Sequence, residues 1–266
     1  MDTNTKGFIN YVNISDNFLS SESFDLIPKF SYLNDNVNHC VIEIKDFLKY
    51  SEIDGFLSEI NSFNWQAVGL DGIASNYKDG DTIGSFRLSV FSDYISTILY
   101  KRLLPIVGYS FDINGDTLTD GEVNSSWEFV GINPLFRFIR YNSGGVLVPH
   151  YDGSYKPDKD YRSLKTLVLY LEGDIDFGST RFIIDNQHIK GVNKDDFDRS
   201  DWTRFAEESE ILFKSFVEKG KALIFDHWLL HDSEVLPEEA NIKTIIRSDL
   251  MYKKINNVGM FNNNEF

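Results

Sequence analysis

The chain has 266 residues, 42% of them hydrophobic and 15% aromatic, enough for one large domain with a sizeable core and unlike a disordered composition. A formal charge of −15 argues against binding a phosphate backbone, and no apolar run approaches a membrane span. The lone Cys40 leaves no internal disulfide framework, and the first residues carry no apolar signal core, so a reducing, cytoplasmic setting is the expectation.

Residues 1–38 are polar, with short apolar pieces, and read as an arm lying on the domain. A mixed, partly helical support region follows over 39–125. Cys40–Ile44 is a β-branched run. Ile53, Phe56, Leu57, Ile60 and Phe63 then fall on one helical face, with Ser51 as the expected N-cap. A second helix is predicted from Asp93 through Ile95, Ile98, Leu99 and Leu103, stopping before Pro105. A Gly- and Asp-rich loop over 70–81 separates the two helices.

From about Trp127 the texture changes to short β-rich runs separated by turns. Strands are predicted over 133–141, 146–152, 164–171, 180–184, 222–225 and 243–252, with an acidic, helical excursion over 195–209 and a frayed tail over 255–266. In the first of these strands Phe136, Phe138 and Arg140 alternate against Leu135, Arg137, Ile139 and Tyr141. Arg137 and Arg140 are read as partners of the acidic surface. The pattern describes an α+β chain whose core, 126–254, is a two-sheet jelly roll and not a parallel α/β sheet.

The stretch that can carry chemistry is PHYDGSY, 149–155. In an extended strand alternate side chains share a face, so His150 and Asp152 point the same way and Tyr151 points away. An imidazole and a carboxylate so placed are two adjacent metal ligands. A later histidine would complete a two-His, one-carboxylate face with open positions, the arrangement of non-haem Fe(II) oxygenases. GKALIFDHWLLHDSEVL, 220–236, offers His231, past the apolar run, with His227 as runner-up. On KTIIRSDLMY, 243–252, Lys243, Ile245 and Arg247 share a face. A cation turned into a barrel is tolerable where it meets an anionic ligand.

These segments in this order, together with SLKTLVLYLEGDIDFGSTRF at 163–182 and GSFRLSVFSDY at 84–94, resemble the Fe(II)/2-oxoglutarate-dependent dioxygenases of the prolyl 4-hydroxylase-like superfamily over residues 84–252. The resemblance implies a double-stranded β-helix braced by the N-terminal helices, with Fe(II) held by His150, Asp152 and His231. It implies a basic residue of the last strand, Arg247 or Lys243, for the distal carboxylate of 2-oxoglutarate, with Arg247 preferred. It also implies phenols near the cosubstrate at Tyr141 and Tyr170, the latter sharing a face with Thr166 and Val168. It further implies hydroxylation of an unactivated C–H bond of a peptidyl proline, another amino-acid side chain or a small amino-acid-like molecule, using dioxygen, releasing succinate and carbon dioxide, with ascorbate as accessory reductant. The loops 66–82, 153–163 and 190–212 are where specificity is expected. The rival readings are a non-catalytic jelly-roll binding module and a cupin-like metal oxygenase that adds His188 and His227 to its ligands.

Overall fold

The computed structural model describes residues 11–21, 25–33, 39–70, 83–108, 110–113, 125–186 and 205–255. The elements begin with three strands, β1 (Tyr11–Val12), β2 (Pro28–Tyr32) and β3 (Cys40–Ile44), and helix α1 (Tyr50–Ile60). Next come β4 (Gln66–Val68), β5 (Ser85–Phe91), helix α2 (Asp93–Val107) and β6 (Ser110–Ile113). The β-rich half supplies β7 (Ser125–Ile132), β8 (Leu135–Tyr141), β9 (Leu147–His150), β10 (Tyr161–Glu172), β11 (Thr180–Ile183), β12 (Ile211–Ser215), β13 (Ala222–Asp226), β14 (His231–Ser233) and β15 (Lys243–Lys254). The predicted 195–209 excursion lies mostly outside the described residues; within them, Glu208–Glu210 is one 3-10 turn. No helix among the described residues is long and apolar enough to cross a membrane.

Among the described residues, eleven strands form one sheet, ordered β1-β5-β8-β15-β10-β13-β3-β2 with β4 on β5 and β6–β7 on β15. Four form the opposing sheet, β12-β11-β14-β9. Parts of the N-terminal arm therefore extend the large sheet at both ends, β1 against β5 and β2 against β3. The two sheets face one another as a double-stranded β-helix, a jelly roll.

Strand alternation divides the apolar residues between two cores. Phe136 and Phe138 of β8, Leu167 and Leu169 of β10 and Ile246 of β15 pack outward against Ile53 and Phe56 of α1 and Ile98 and Leu99 of α2. Ile139 of β8, Val168 and Tyr170 of β10 and Ile245 of β15 pack inward with Phe182, Leu223 and Phe225. The helices thus cover one face of the large sheet and leave the other to build the site.

Both helix ends differ in detail from expectation. The N-cap of α1 is Lys49, whose N–H donates to Glu52 at 2.9 Å, because Glu52 is held in place by a buried two-point contact with Arg102 of α2 at 2.5 and 3.1 Å. Ser92 caps α2, accepting from the Ile95 N–H at 3.1 Å. This helix runs through Pro105 and ends at Gly108, whose φ of 80° favours glycine; a proline in the final turn interrupts little of the ladder.

Candidate metal centre and its cavity

β9 and β14 are neighbours in the smaller sheet, and their register sets His150 directly opposite His231. The two rings stand 4.3 Å apart between centroids, and Phe225 meets the His231 ring edge-on at 4.6 Å. Each Nδ1 lies 2.8 Å from a backbone carbonyl two residues earlier, Val148 for His150 and Leu229 for His231. A carbonyl can only accept, so each Nδ1 carries the proton and each Nε2 presents a lone pair. Asp152, two residues beyond His150, brings its carboxylate to 3.9 Å from His150 Nε2 and 3.6 Å from His231 Nε2. The ligand atoms of the three residues all lie within 4.8 Å of one another, as one shared metal ion requires. This donor set fits iron.

Several contacts hold Asp152 in position. Its backbone N–H donates to the His227 carbonyl at 3.0 Å, the Thr166 hydroxyl donates to its carboxylate, and Arg247 meets it at 3.0 Å. Burial alone would raise its pKa, but the Arg247 guanidinium holds it well below the usual carboxylate range. Burial and the adjacent His150 push His231 down to about 3, which keeps it neutral.

His227, the runner-up ligand, is fully buried behind this cluster and outside it. Its Nδ1 lies 2.9 Å from Thr166 Oγ1 and its Nε2 lies 2.8 Å from Ser163 Oγ. Because the Asp152 carboxylate takes the Thr166 proton, Thr166 must accept from His227 Nδ1–H, and Nε2 accepts from Ser163. Burial pushes His227 down to about 4, in keeping with a neutral ring. His188 lies outside the described residues.

The triad opens into a cavity of about 300 Å3 between the sheets. Its large-sheet wall follows from register: Tyr141 lies opposite Lys243, Ile139 opposite Ile245, and Arg137 opposite Arg247 on β8 and β15. Lys243 is buried, donates to the Gly178 carbonyl at 2.5 Å and Ser233 Oγ at 2.8 Å, and sits 4.7 Å over the Tyr141 ring. It makes no ion pair among the described residues. Burial pushes its ammonium down to about 7, with Asp232 and Glu234 opposing the shift. Arg247, in contrast, is engaged by Asp152 and Asp249, each at 3.0 Å. Tyr141 lines the cavity, and burial pushes its phenol up to about 12, so it stays a neutral donor. Tyr170 shares the inward face but stops short of the cavity, its hydroxyl 2.8 Å from Thr180 Oγ1.

Sequence reasoning did not single out Arg87, or the buried Arg181–Asp232 pair with contacts of 2.8 and 2.5 Å. Arg137, expected at the acidic surface, lines the cavity because it shares the inward face of β8 with Ile139 and Tyr141. Arg140 points the other way, over the Trp65 ring at 4.3 Å. Alternation along the strand, the signal that grouped Lys243 with Arg247, also marked Arg137.

No family model and no curated protein matches the chain. Solved structures match it at low identity. The viral collagen prolyl hydroxylase of Paramecium Bursaria Chlorella virus-1, in a 2-oxoglutarate complex, is 16% identical with a TM-score of 0.41, over 80% of this chain and 96% of that one. A prolyl-4-hydroxylase of Pseudomonas putida is 12% identical with a TM-score of 0.47, over 82% and 96%. HygX of Streptomyces hygroscopicus, with nickel and 2-oxoglutarate bound, is 12% identical with a TM-score of 0.42, over 80% and 82%. The matched structures thus include prolyl hydroxylases and proteins solved with 2-oxoglutarate bound.

Proposed function

We propose that this protein is an Fe(II)- and 2-oxoglutarate-dependent dioxygenase that hydroxylates an unactivated C–H bond of an amino-acid-like substrate, free or within a peptide. The observation that carries this reading is the convergence of two imidazole Nε2 atoms and one carboxylate within 4.8 Å, beside a cavity that also holds a buried cation without an ion-pair partner among the described residues. His150, Asp152 and His231 hold the iron. Lys243 rather than Arg247 takes the distal carboxylate of 2-oxoglutarate, because the Arg247 charge is already met by Asp152 and Asp249. The Tyr141 ring flanks that ammonium, and its neutral phenol remains a hydrogen-bond donor at the same end of the cavity.

Bound iron and 2-oxoglutarate supply dioxygen activation coupled to oxidative decarboxylation of the keto acid to succinate and carbon dioxide, with one oxygen atom going to the substrate. The chain's part is orientation. Val148 and Leu229 carbonyls fix the tautomer of both histidines, Thr166 and Arg247 fix the rotamer of Asp152, and Ile139, Val168, Phe225 and Ile245 exclude water around them.

Anaerobic addition of Fe(II) and 2-oxoglutarate tests the reading, since a keto acid chelated to iron absorbs visibly by charge transfer. The band is expected in the native protein, absent in His231→Ala, and retained at saturating iron in His227→Ala. A native protein without the band, or a His231→Ala variant that keeps it, refutes the assignment.

A further inference from the structure

The charges in the cavity are unevenly matched. Asp152 meets Arg247, Asp232 is bonded to Arg181, and under the function proposed above Lys243 is taken by the cosubstrate. Arg137 remains. Its ion-pair partner is Asp249 at 3.9 Å, and that carboxylate is already held by Arg247 at 3.0 Å and by Asn133 Nδ2 at 3.1 Å. Arg137 Nη1, the nitrogen turned toward Asp249, is buried and has no hydrogen-bond partner among the described residues, so the accessible part of the side chain lies elsewhere on it. The β8–β15 register also sets Arg137 directly opposite Arg247, a like-charge pair across adjacent strands, and Arg87 of β5 lines the same cavity. With about a quarter of its side chain accessible, Arg137 can be reached by a ligand in the cavity.

We propose that Arg137 binds a carboxylate of the primary substrate, which makes that substrate an organic acid and not a neutral internal segment of a peptide. A planar guanidinium that lines the cavity and whose ion pair is as long as 3.9 Å is shaped for a carboxylate. A monoanion suits the position better than a phosphate dianion, because Asp249 stands close behind the guanidinium. A substrate anchored there lies one arginine away from the triad: Arg137 faces Arg247, and Arg247 touches Asp152. The commitment of Lys243 to the cosubstrate, and what is then done to the substrate, rest on the oxygenase reading; the preference for an acid is read on metal-free protein.

The experiment is calorimetric titration of metal-free protein with N-acetylated alanine, proline, phenylalanine and lysine, each as the free acid and as the primary amide. At least one acid is expected to bind about tenfold or more tightly than its amide, the worth of one charge-assisted hydrogen bond. That preference should disappear in Arg137→Gln and persist in Lys243→Met, which removes the cation assigned to 2-oxoglutarate. If Arg137→Gln does not fold, Arg137→Lys decides: a reduced preference supports the proposal and an unchanged one overturns it. No acid preferred over its amide, a preference retained in Arg137→Gln, or inorganic phosphate binding more tightly than every acid would each overturn it. Failure of the oxygenase reading appears separately, as a missing Fe(II)–2-oxoglutarate band in a protein that still distinguishes acid from amide.

Discussion

The choice of Lys243 over Arg247 predicts a pH dependence that an arginine could not produce. Burial disfavours the ammonium and pushes it down to about 7, so in the free protein Lys243 loses its charge as pH rises through neutrality. The anion-binding form is then about nine-tenths populated at pH 6, about one-tenth at pH 8 and about one-hundredth at pH 9, and apparent affinity scales with that fraction. Affinity for 2-oxoglutarate should therefore weaken about tenfold from pH 6 to 8 and about a hundredfold from pH 6 to 9, with close to one proton taken up on binding at the alkaline end. Calorimetry on nickel-loaded protein measures both quantities. Titration of 2-oxopentanoate, which keeps the chelating keto acid and lacks the distal carboxylate, removes pH effects belonging to the metal ligands. Lys243→Arg should flatten the dependence, because a guanidinium stays charged throughout this range. A native ratio of 2-oxoglutarate to 2-oxopentanoate affinity that is level from pH 6 to 9 would refute the assignment and return the role to Arg247.

Two further outcomes follow from the contacts behind the site. Thr166→Val removes the hydroxyl that donates to Asp152 and accepts from His227, and should weaken nickel affinity by about 10- to 100-fold without unfolding the protein; affinity within twofold of native would show that Arg247 alone orients the carboxylate. Arg102→Met strands the buried Glu52 carboxylate, a loss of about 3–5 kcal/mol and on the order of ten degrees in melting temperature. Arg102 and two backbone N–H groups outweigh the effect of burial and hold Glu52 below its ordinary 4.5, so the native protein should lose this contribution as pH falls below that value while the variant shows no such loss. A melting temperature within two degrees of native would contradict the claim that this pair locks α1 to α2.

The strands that build the cavity were legible because a half-buried strand writes its two faces in alternate residues. From the sequence alone that rule puts His150 with Asp152, Thr166 with Val168 and Tyr170, and Lys243 with Arg247. It was less informative at β5 and β7, where Ser85–Phe91 and Ser125–Ile132 mix small polar residues into runs that sequence reasoning left unassigned as strands. Alternation could not rank residues within a face. His231 is the third ligand candidate because β14 pairs with β9 opposite His150, whereas His227 precedes the turn and is drawn back to Ser163 and Thr166 on β10. Arg247 looked the more conspicuous cation, yet Asp249 shares its face and Asp152 reaches it from the end of a different strand, so its charge is met from inside the protein. Lys243, two places removed from Ile245 on the same face, bonds a carbonyl and a hydroxyl, sits over a ring and makes no ion pair among the described residues. Which cation is left for a ligand is decided by register between strands remote in sequence, and a period read along one strand contains no record of that register.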